Sequence, residues 1–277
     1  MTVINTNTGS LYAQQAMTTN ARGLSTVMQQ LSTGKRINNA VDDVAGMAIS
    51  TRLTSQIRGL NQAVRNTNDG ISMIQTAEGA TEQVTNMLQR MRELAVQASN
   101  DTNNRSDRTY LNLEFQALTS QIGDIANNTQ WNGTDVLNGT GGASGTFTFQ
   151  VGANSDQSIS IKFSDMTTNS GAMSTISGQD VLTTSTSSAA LGVIISALDT
   201  VSLERSNMGA VISRLQFTSD NLANVSAKAQ ESRSRIEDTD YSQATTELAK
   251  RNIIQQAAQA MLAQANQQPQ SVLQLLR

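Results

Sequence analysis

Three pairs of neighbouring carboxylates, Asp42/Asp43, Glu237/Asp238 and Asp238/Asp240, are the residues best suited to chemistry, since two acids held close can share a proton or grip a cation. Each pair falls at a junction between helical stretches, where an acidic side chain accepts the free amides of a helix start, so capping is the favoured reading. The run Gly139 to Gly145 (GTGGASG) lacks GxGxxG spacing and a strand-turn-helix setting, and no GK[ST] occurs elsewhere, which leaves a flexible linker. Asn132-Gly133-Thr134 has the form of a glycosylation tripeptide, a form common by chance in so amide-rich a chain. The 277 residues include no Cys, no His and a single Pro, Pro269. Disulfides, thiolate metal sites, zinc peptidase motifs and Cys or His nucleophiles are thereby excluded. No catalytic residue, cofactor-binding residue or metal ligand is expected, and the chain reads as a non-enzyme.

Composition points the same way. Hydrophobic residues make up 38% and charged residues 15%, against about 45–50% and about 25% in an average globular chain. Amides, hydroxyls and alanine fill the deficit. With a net charge of -3, three Tyr, five Phe and one Trp, there is neither a basic footprint nor a stacking platform for nucleic acid. No stretch approaches the roughly 18 to 20 consecutive apolar residues of a bilayer span, so no membrane insertion is expected. The first thirty residues lack a basic start and an apolar block, so no cleaved secretory signal is expected, and export would use another route.

The elements that could position a functional surface are helical at both ends. Met17, Ala21, Leu24, Met28 and Leu31 recur at steps of 4, 3, 4 and 3, and Ile254, Ala258, Met261 and Ala265 do the same. Between Thr2 and Gly34 the one charged side chain is Arg22, and from Asn252 to Leu276 there is none. A solvated helix face usually carries Lys, Glu and Arg. Neutral faces flanking an aliphatic stripe suit close packing against identical copies, so these nine residues are the expected polymer interface. Weakly ordered tails that fold on association fit the same pattern.

Gly34 to Asn39 breaks the first helix, and Asp42-Asp43 can cap a second. Leu53, Ile57, Leu60, Val64, Ile71 and Ile74 keep one seven-residue register, and Val84, Leu88, Met91, Ala95 and Ala98 carry a second run. Gly59, Gly70 and Gly79 weaken this helix locally. About fifty residues of helix make a rod of roughly 80 Å. Asn100 to Asn104 forms a turn, Asp107 to Ala126 a returning helix, and about Ser188 to Arg235 a fourth helix, whose stripe runs from Met208 through Leu222 to Ile236. Between them, Phe147, Phe149 and Val151, then Ile159, Ile161 and Phe163, alternate with polar residues on either side of a turn, the pattern of a β-hairpin with one apolar face. The segment from Met166 to Ser188, short of large apolar groups, is expected to be an exposed loop. The fold class is mainly α: a long antiparallel helical bundle or coiled coil with a small β-hairpin region. Residues 1–40 and 237–277 would form a discontinuous terminal-helix coiled-coil domain, and residues 41–236 a rod-like bundle with the hairpin (146–163) and a short loop (166–188).

Leu88 to Gln97, LQRMRELAVQ, is the most charged patch of the long helix. Arg90, Glu93 and Gln97 share one exposed face.

These residues together resemble one family. The block LSTGKRINNAVDDVAGMAISTRLTSQIRGLNQAVRNTNDGISMIQTAEGA, Leu31 to Ala80, is similar to the N-terminal signature of bacterial flagellin. RSRIEDTDYSQATTELAK, Arg233 to Lys250, and LAQANQQPQSVLQLLR, Leu262 to Arg277, resemble its C-terminal signature, and QVGAN, Gln150 to Asn154, its hairpin. The resemblance covers about residues 1 to 138 and 190 to 277. It implies a homopolymer: a helical filament, extracellular, propelling the cell, with terminal helices lining an inner tube and a bundle around them. With only about fifty residues between the conserved parts, projecting outer domains are expected to be absent or reduced to a loop. The implied partners are the flagellar type III export apparatus and a chaperone, and the filament cap and hook-junction proteins. In hosts they are Toll-like receptor 5, reading positions that match Arg90, Glu93, Leu94, Gln97 and Glu114, and the NAIP receptors, reading Leu273, Leu275 and Leu276. A hook-filament junction protein and a secreted adhesin or immune-receptor ligand are the competing readings.

Overall fold

The computed structural model describes residues 6–168 and 171–275, with side chains through residue 267. In chain order the elements are α1 (Thr8–Thr33), α2 (Val44–Ala98), α3 (Arg105–Asn128), β1 (Gln130–Trp131), β2 (Thr134–Asp135), β3 (Thr146–Gln150), β4 (Ser158–Lys162), α4 (Ser174–Ser177), α5 (Thr184–Glu237) and α6 (Tyr241–Leu275). They fall into two compact units: Met1–Ile57 with Ala227–Arg277, and Arg58–Ser226. The division lies inside α2 and α5, whereas the sequence suggested breaks near residues 40 and 237.

Helix ends follow the capping chemistry read from the sequence. Asn7 accepts the Ser10 amide at the start of α1 (3.1 Å), and Gly34 ends it with φ 71°, a left-handed conformation that Gly adopts without strain. Asp43 Oδ1 accepts the Gly46 amide (2.8 Å), while Asp42 ties down the amides of Asn38 and Asn39 in the preceding turn. Asn104 and Asp107 close a reciprocal capping box at the start of α3. Asp240 accepts the amides of Ser242 and Gln243 as α6 begins.

In the first unit, α1 and α6 pack antiparallel along their length. Three hydrogen bonds fix the register: Asn7 Nδ2 donates to the Ala265 carbonyl (2.7 Å), Asn20 Nδ2 to the Arg251 carbonyl (2.9 Å) and Tyr241 Oη to the Leu31 carbonyl (3.3 Å). Asn20, only 5% exposed, is a buried polar group whose amide is satisfied in this way. Arg251, held by Glu247 Oε1 at 2.9 Å, lays its guanidinium against the bare backbone of Gly23, where any side chain would collide with it. At one end of the pair the two linkers are stitched together. The Arg36 amide donates to the Glu237 carbonyl (2.6 Å), the Thr239 amide to the Gly34 carbonyl (3.0 Å), and Lys35 pairs with Glu237. Glu237 also accepts from Ser50 Oγ (2.5 Å).

In the second unit, one continuous core joins Ile74, Leu88, Met91 and Leu94 of α2, Phe115 and Ile122 of α3, and Ile194, Val201, Met208 and Leu215 of α5. Burial of such side chains is worth roughly 1.5–3 kcal/mol each. The expected hairpin pairs Phe147 with Ile161 and Phe149 with Ile159, its apolar face against the core. Gly59 and Gly70 are seats for this hairpin. A Cβ at Gly70 would lie 3.0 Å from the Phe149 ring, and one at Gly59 3.0 Å from Ala153. Glu204, 7% exposed, receives the Ser164 amide and hydroxyl (3.1 and 3.0 Å), fixing the exit of β4 onto α5.

Three parts of this unit differ from the expectation. Residues 166–188 are not an exposed loop. Met166, Met173 and Ile176 are fully buried, as are Val181 and Ser187, and α4 lies within the segment, so a few well-placed apolar anchors fold it onto the core. The glycine-rich run is an ordered series of turns rather than a flexible linker. Gly145 donates to the Gly141 carbonyl (2.8 Å) and accepts from the Phe163 amide (2.9 Å), and a side chain at Gly141 would strike the Asp135 carbonyl. Asn132 and Gly133, with φ 48° and 76°, form the two-residue turn joining β1 to β2, a hairpin absent from the sequence reading. The N-terminal part of α5 also holds an 18-residue window apolar enough to cross a membrane by composition, and its Ala190, Ile194, Ala197 and Val201 sit in the core.

Candidate assembly surface

The aliphatic stripes of the terminal helices divide into two faces once α1 and α6 pair. Met17, Leu24 and Leu31 of α1 and Ala258 and Ala265 of α6 are half-buried along the seam, where Val27 and Ala244 are the most enclosed apolar members. Ala21, Met28, Ile254 and Met261 point away from it. Met28 is 57%, Ile254 42% and Met261 66% exposed. Leu11, Tyr12 and Ile253, which the stripe did not include, are exposed at 57%, 78% and 66%. Their signal was an apolar residue set in an uncharged helix and out of phase with the seam.

Large apolar side chains held this far open on helices that carry few ionic groups suit a contact surface. The seam itself uses small and amide residues, including Ala13, Asn20 and Gly23, so apolar groups remain for the outside. α6 carries no charge from Asn252 to Leu275, and a partner helix could therefore approach without desolvating an ion. The surface offers van der Waals contact and amide hydrogen bonding, and no group poised for proton or electron transfer.

The second candidate surface lies on α2 and α3. Arg90 Nε donates to Glu114 Oε1 (2.8 Å) and Nη1 to Glu93 Oε2 (2.9 Å), so one guanidinium bridges two helices. These bonds, Glu114 first and Glu93 second, raise the Arg90 pKa above its ordinary value. All three side chains are exposed, as is Gln97, giving a fixed polar strip. Leu94 is a correction: it is fully buried in the core, one turn on from Arg90, and its side chain is not open to a partner of the folded chain. Leu276 and the side chains of Leu273 and Leu275 lie outside the described residues.

The carboxylate pairs are all engaged in structure. Asp42, Asp43 and Asp240 cap turns or helices, Asp238 accepts from Ser234 Oγ (2.5 Å), and Glu237 is held by Lys35 and Ser50. Among the described residues no three acidic side chains converge as a metal site.

Comparison with known proteins agrees with this architecture. Residues 4–141 match the bacterial flagellin N-terminal helical region, and residues 191–276 the bacterial flagellin C-terminal helical region. The chain is 46% identical over 275 residues to a flagellin of Halalkalibacterium halodurans, covering 99% of this chain and 100% of that one. It is 39% identical over 302 residues to a flagellin of Bacillus subtilis, covering 99% of both. The crystal structure of Bacillus cereus flagellin superposes with a TM-score of 0.51 at 28% identity, over 57% of this chain and 88% of that one.

Proposed function

The chain belongs to the bacterial flagellin family and is a structural subunit of the flagellar filament, and we propose that it polymerises through the outward faces of α1 and α6. The observation that carries this reading is the set of open apolar side chains, Leu11, Tyr12, Met28, Ile253, Ile254 and Met261, on helices nearly free of charge. The half-buried members of the stripes, Met17, Leu24, Leu31, Ala258 and Ala265, hold the α1/α6 pair in the shape that presents them, and Ala21 lies with the outward-facing set. On this reading residues 1–40 and 237–277 are the inner, filament-forming part and residues 41–236 the wall around it.

The same reading makes the chain a non-catalytic cargo of the flagellar type III export apparatus, escorted by a chaperone and added beneath the filament cap on top of the hook-junction proteins. In a host, the Arg90–Glu93–Glu114 strip with Gln97 is the surface offered to Toll-like receptor 5, and the leucines near the C-terminus to NAIP receptors. Leu94 supports that strip from inside. Removing residues 1–34 and 252–277 is expected to abolish filaments seen by electron microscopy. Native filaments from the truncated chain would refute assembly through the terminal helices.

A further inference from the structure

The described methionines differ sharply in exposure. Met73, Met91, Met166, Met173 and Met208 are buried in the second unit, and Met17, Met47 and Met87 are half-buried, whereas Met28 and Met261, on the outward faces of α1 and α6, are 57% and 66% exposed. Thioether oxidation follows access to the sulfur, and it turns a flexible apolar side chain into a polar one.

We propose that Met28 and Met261 are oxidation sites that switch the free subunit out of polymerisation, and that assembly shields them; this rests on the assembly surface proposed above. Hydrogen peroxide is the oxidant. The sulfur lone pair attacks the terminal peroxide oxygen, the O–O bond breaks as the S–O bond forms, and the departing oxygen takes up the proton and leaves as water. Sulfur loses two electrons and the peroxide gains them. The resulting sulfoxide is polar where the thioether offered a neighbouring subunit apolar contact, so its burial costs more than that of the parent side chain. Leu, Ile and Tyr side chains on the same faces do not react in this way, and no Cys competes for the oxidant. Sulfoxide reductases restore the thioether, which makes the block reversible.

The test treats full-length subunit and sheared filaments separately with dilute hydrogen peroxide and reads each methionine by peptide mass spectrometry. In free subunit, Met28 and Met261 are expected to oxidise several-fold faster than the buried five. In filaments the rates at both are expected to fall to the buried level. Oxidised subunit should lose the ability to elongate filament seeds and regain it after reductase treatment, while Met28→Leu/Met261→Leu subunit, also peroxide-treated, should elongate as untreated parent does. Normal elongation by subunit carrying both sulfoxides would overturn the proposal, as would equal loss in the double leucine variant. Failure of the underlying surface shows differently: Met261→Asp subunit would then elongate normally without any oxidant.

Discussion

Met261→Asp separates assembly from folding, and its size can be worked from the structure. Full burial of a Met side chain is worth about 1.5–3 kcal/mol. At 66% exposure in the subunit, about two-thirds of that, or about 1–2 kcal/mol, is left for a neighbour to gain on assembly. The aspartate forfeits this gain and adds several kcal/mol for desolvating a carboxylate, with no charged residue from Asn252 to Leu276 to pair with it locally. Inside the subunit the change costs the difference in helix propensity, about 0.5 kcal/mol, and the third of the burial already made there, about 0.5–1 kcal/mol. A total penalty of about 3 kcal/mol or more per added subunit raises the critical concentration at least about a hundredfold, since each 1.4 kcal/mol is a factor of ten. The assay pellets filaments over a range of total subunit concentrations and reads the concentration left in the supernatant, with helicity of the soluble variant followed by circular dichroism. Met261→Leu, which keeps the apolar contact, should stay near the parent value. A Met261→Asp critical concentration within about twofold of the parent, roughly 0.4 kcal/mol, would refute the argument that this face is covered in the polymer.

Glu237 gives a pH prediction. The Lys35 hydrogen bond first, and the Ser50 hydroxyl second, hold its carboxyl below the ordinary glutamate range. Its folded pKa is thus lower than its unfolded one, so the stability it contributes is full above the unfolded value of about 4.3 and drains away as pH falls from there through the depressed value. Denaturant midpoints should therefore drop between neutral pH and about pH 3 by less in Glu237→Gln than in the parent, and parallel profiles would contradict the assignment. Gly79, with open space around it, should tolerate Ala with a gain of up to about 1 kcal/mol in unfolding free energy. Gly70→Ala should gain nothing or lose stability because the Phe149 ring occupies the site; equal gains at both would remove the hairpin-seat reading. Glu204→Ala leaves the Ser164 amide and hydroxyl facing a buried void and should cost about 2–4 kcal/mol by thermal or denaturant unfolding. A cost near zero would mean that water replaces the carboxylate.

Much of this was legible in local chemistry. Gly34, Asp43 and Asp240 mark helix ends because capping depends on residues within one turn. Phe147, Phe149, Ile159 and Ile161 announce the hairpin because a two-residue period is a property of the strand alone. What escaped depends on partners distant in sequence. Gly59 and Gly70 look like weak points in a helix until Ala153 and Phe149 are seen resting on them. Met173, Ile176 and Val181 are too few to suggest a folded segment, yet all three reach the core. Asn132-Gly133 is a two-residue turn signal, and the glycosylation form of the same tripeptide masks it. The terminal stripes were read as one surface because aliphatic spacing marks buried positions without saying which neighbour buries them. The α1/α6 seam takes half, with Asn20 and Gly23 filling places an aliphatic pattern cannot reveal.

The amides of Asn7 and Asn20, each hooked to a main-chain carbonyl of α6, have a consequence for the medium in which the subunit lives. Neither partner gains or loses a proton in any ordinary water, and dissolved salt has no net charge on them to shield. These two links therefore hold alike in brine, in fresh water or in acid. The ionic Lys35–Glu237 clasp feels those changes first, which places any environmental softening of the subunit at the linkers and leaves the helix pair in step.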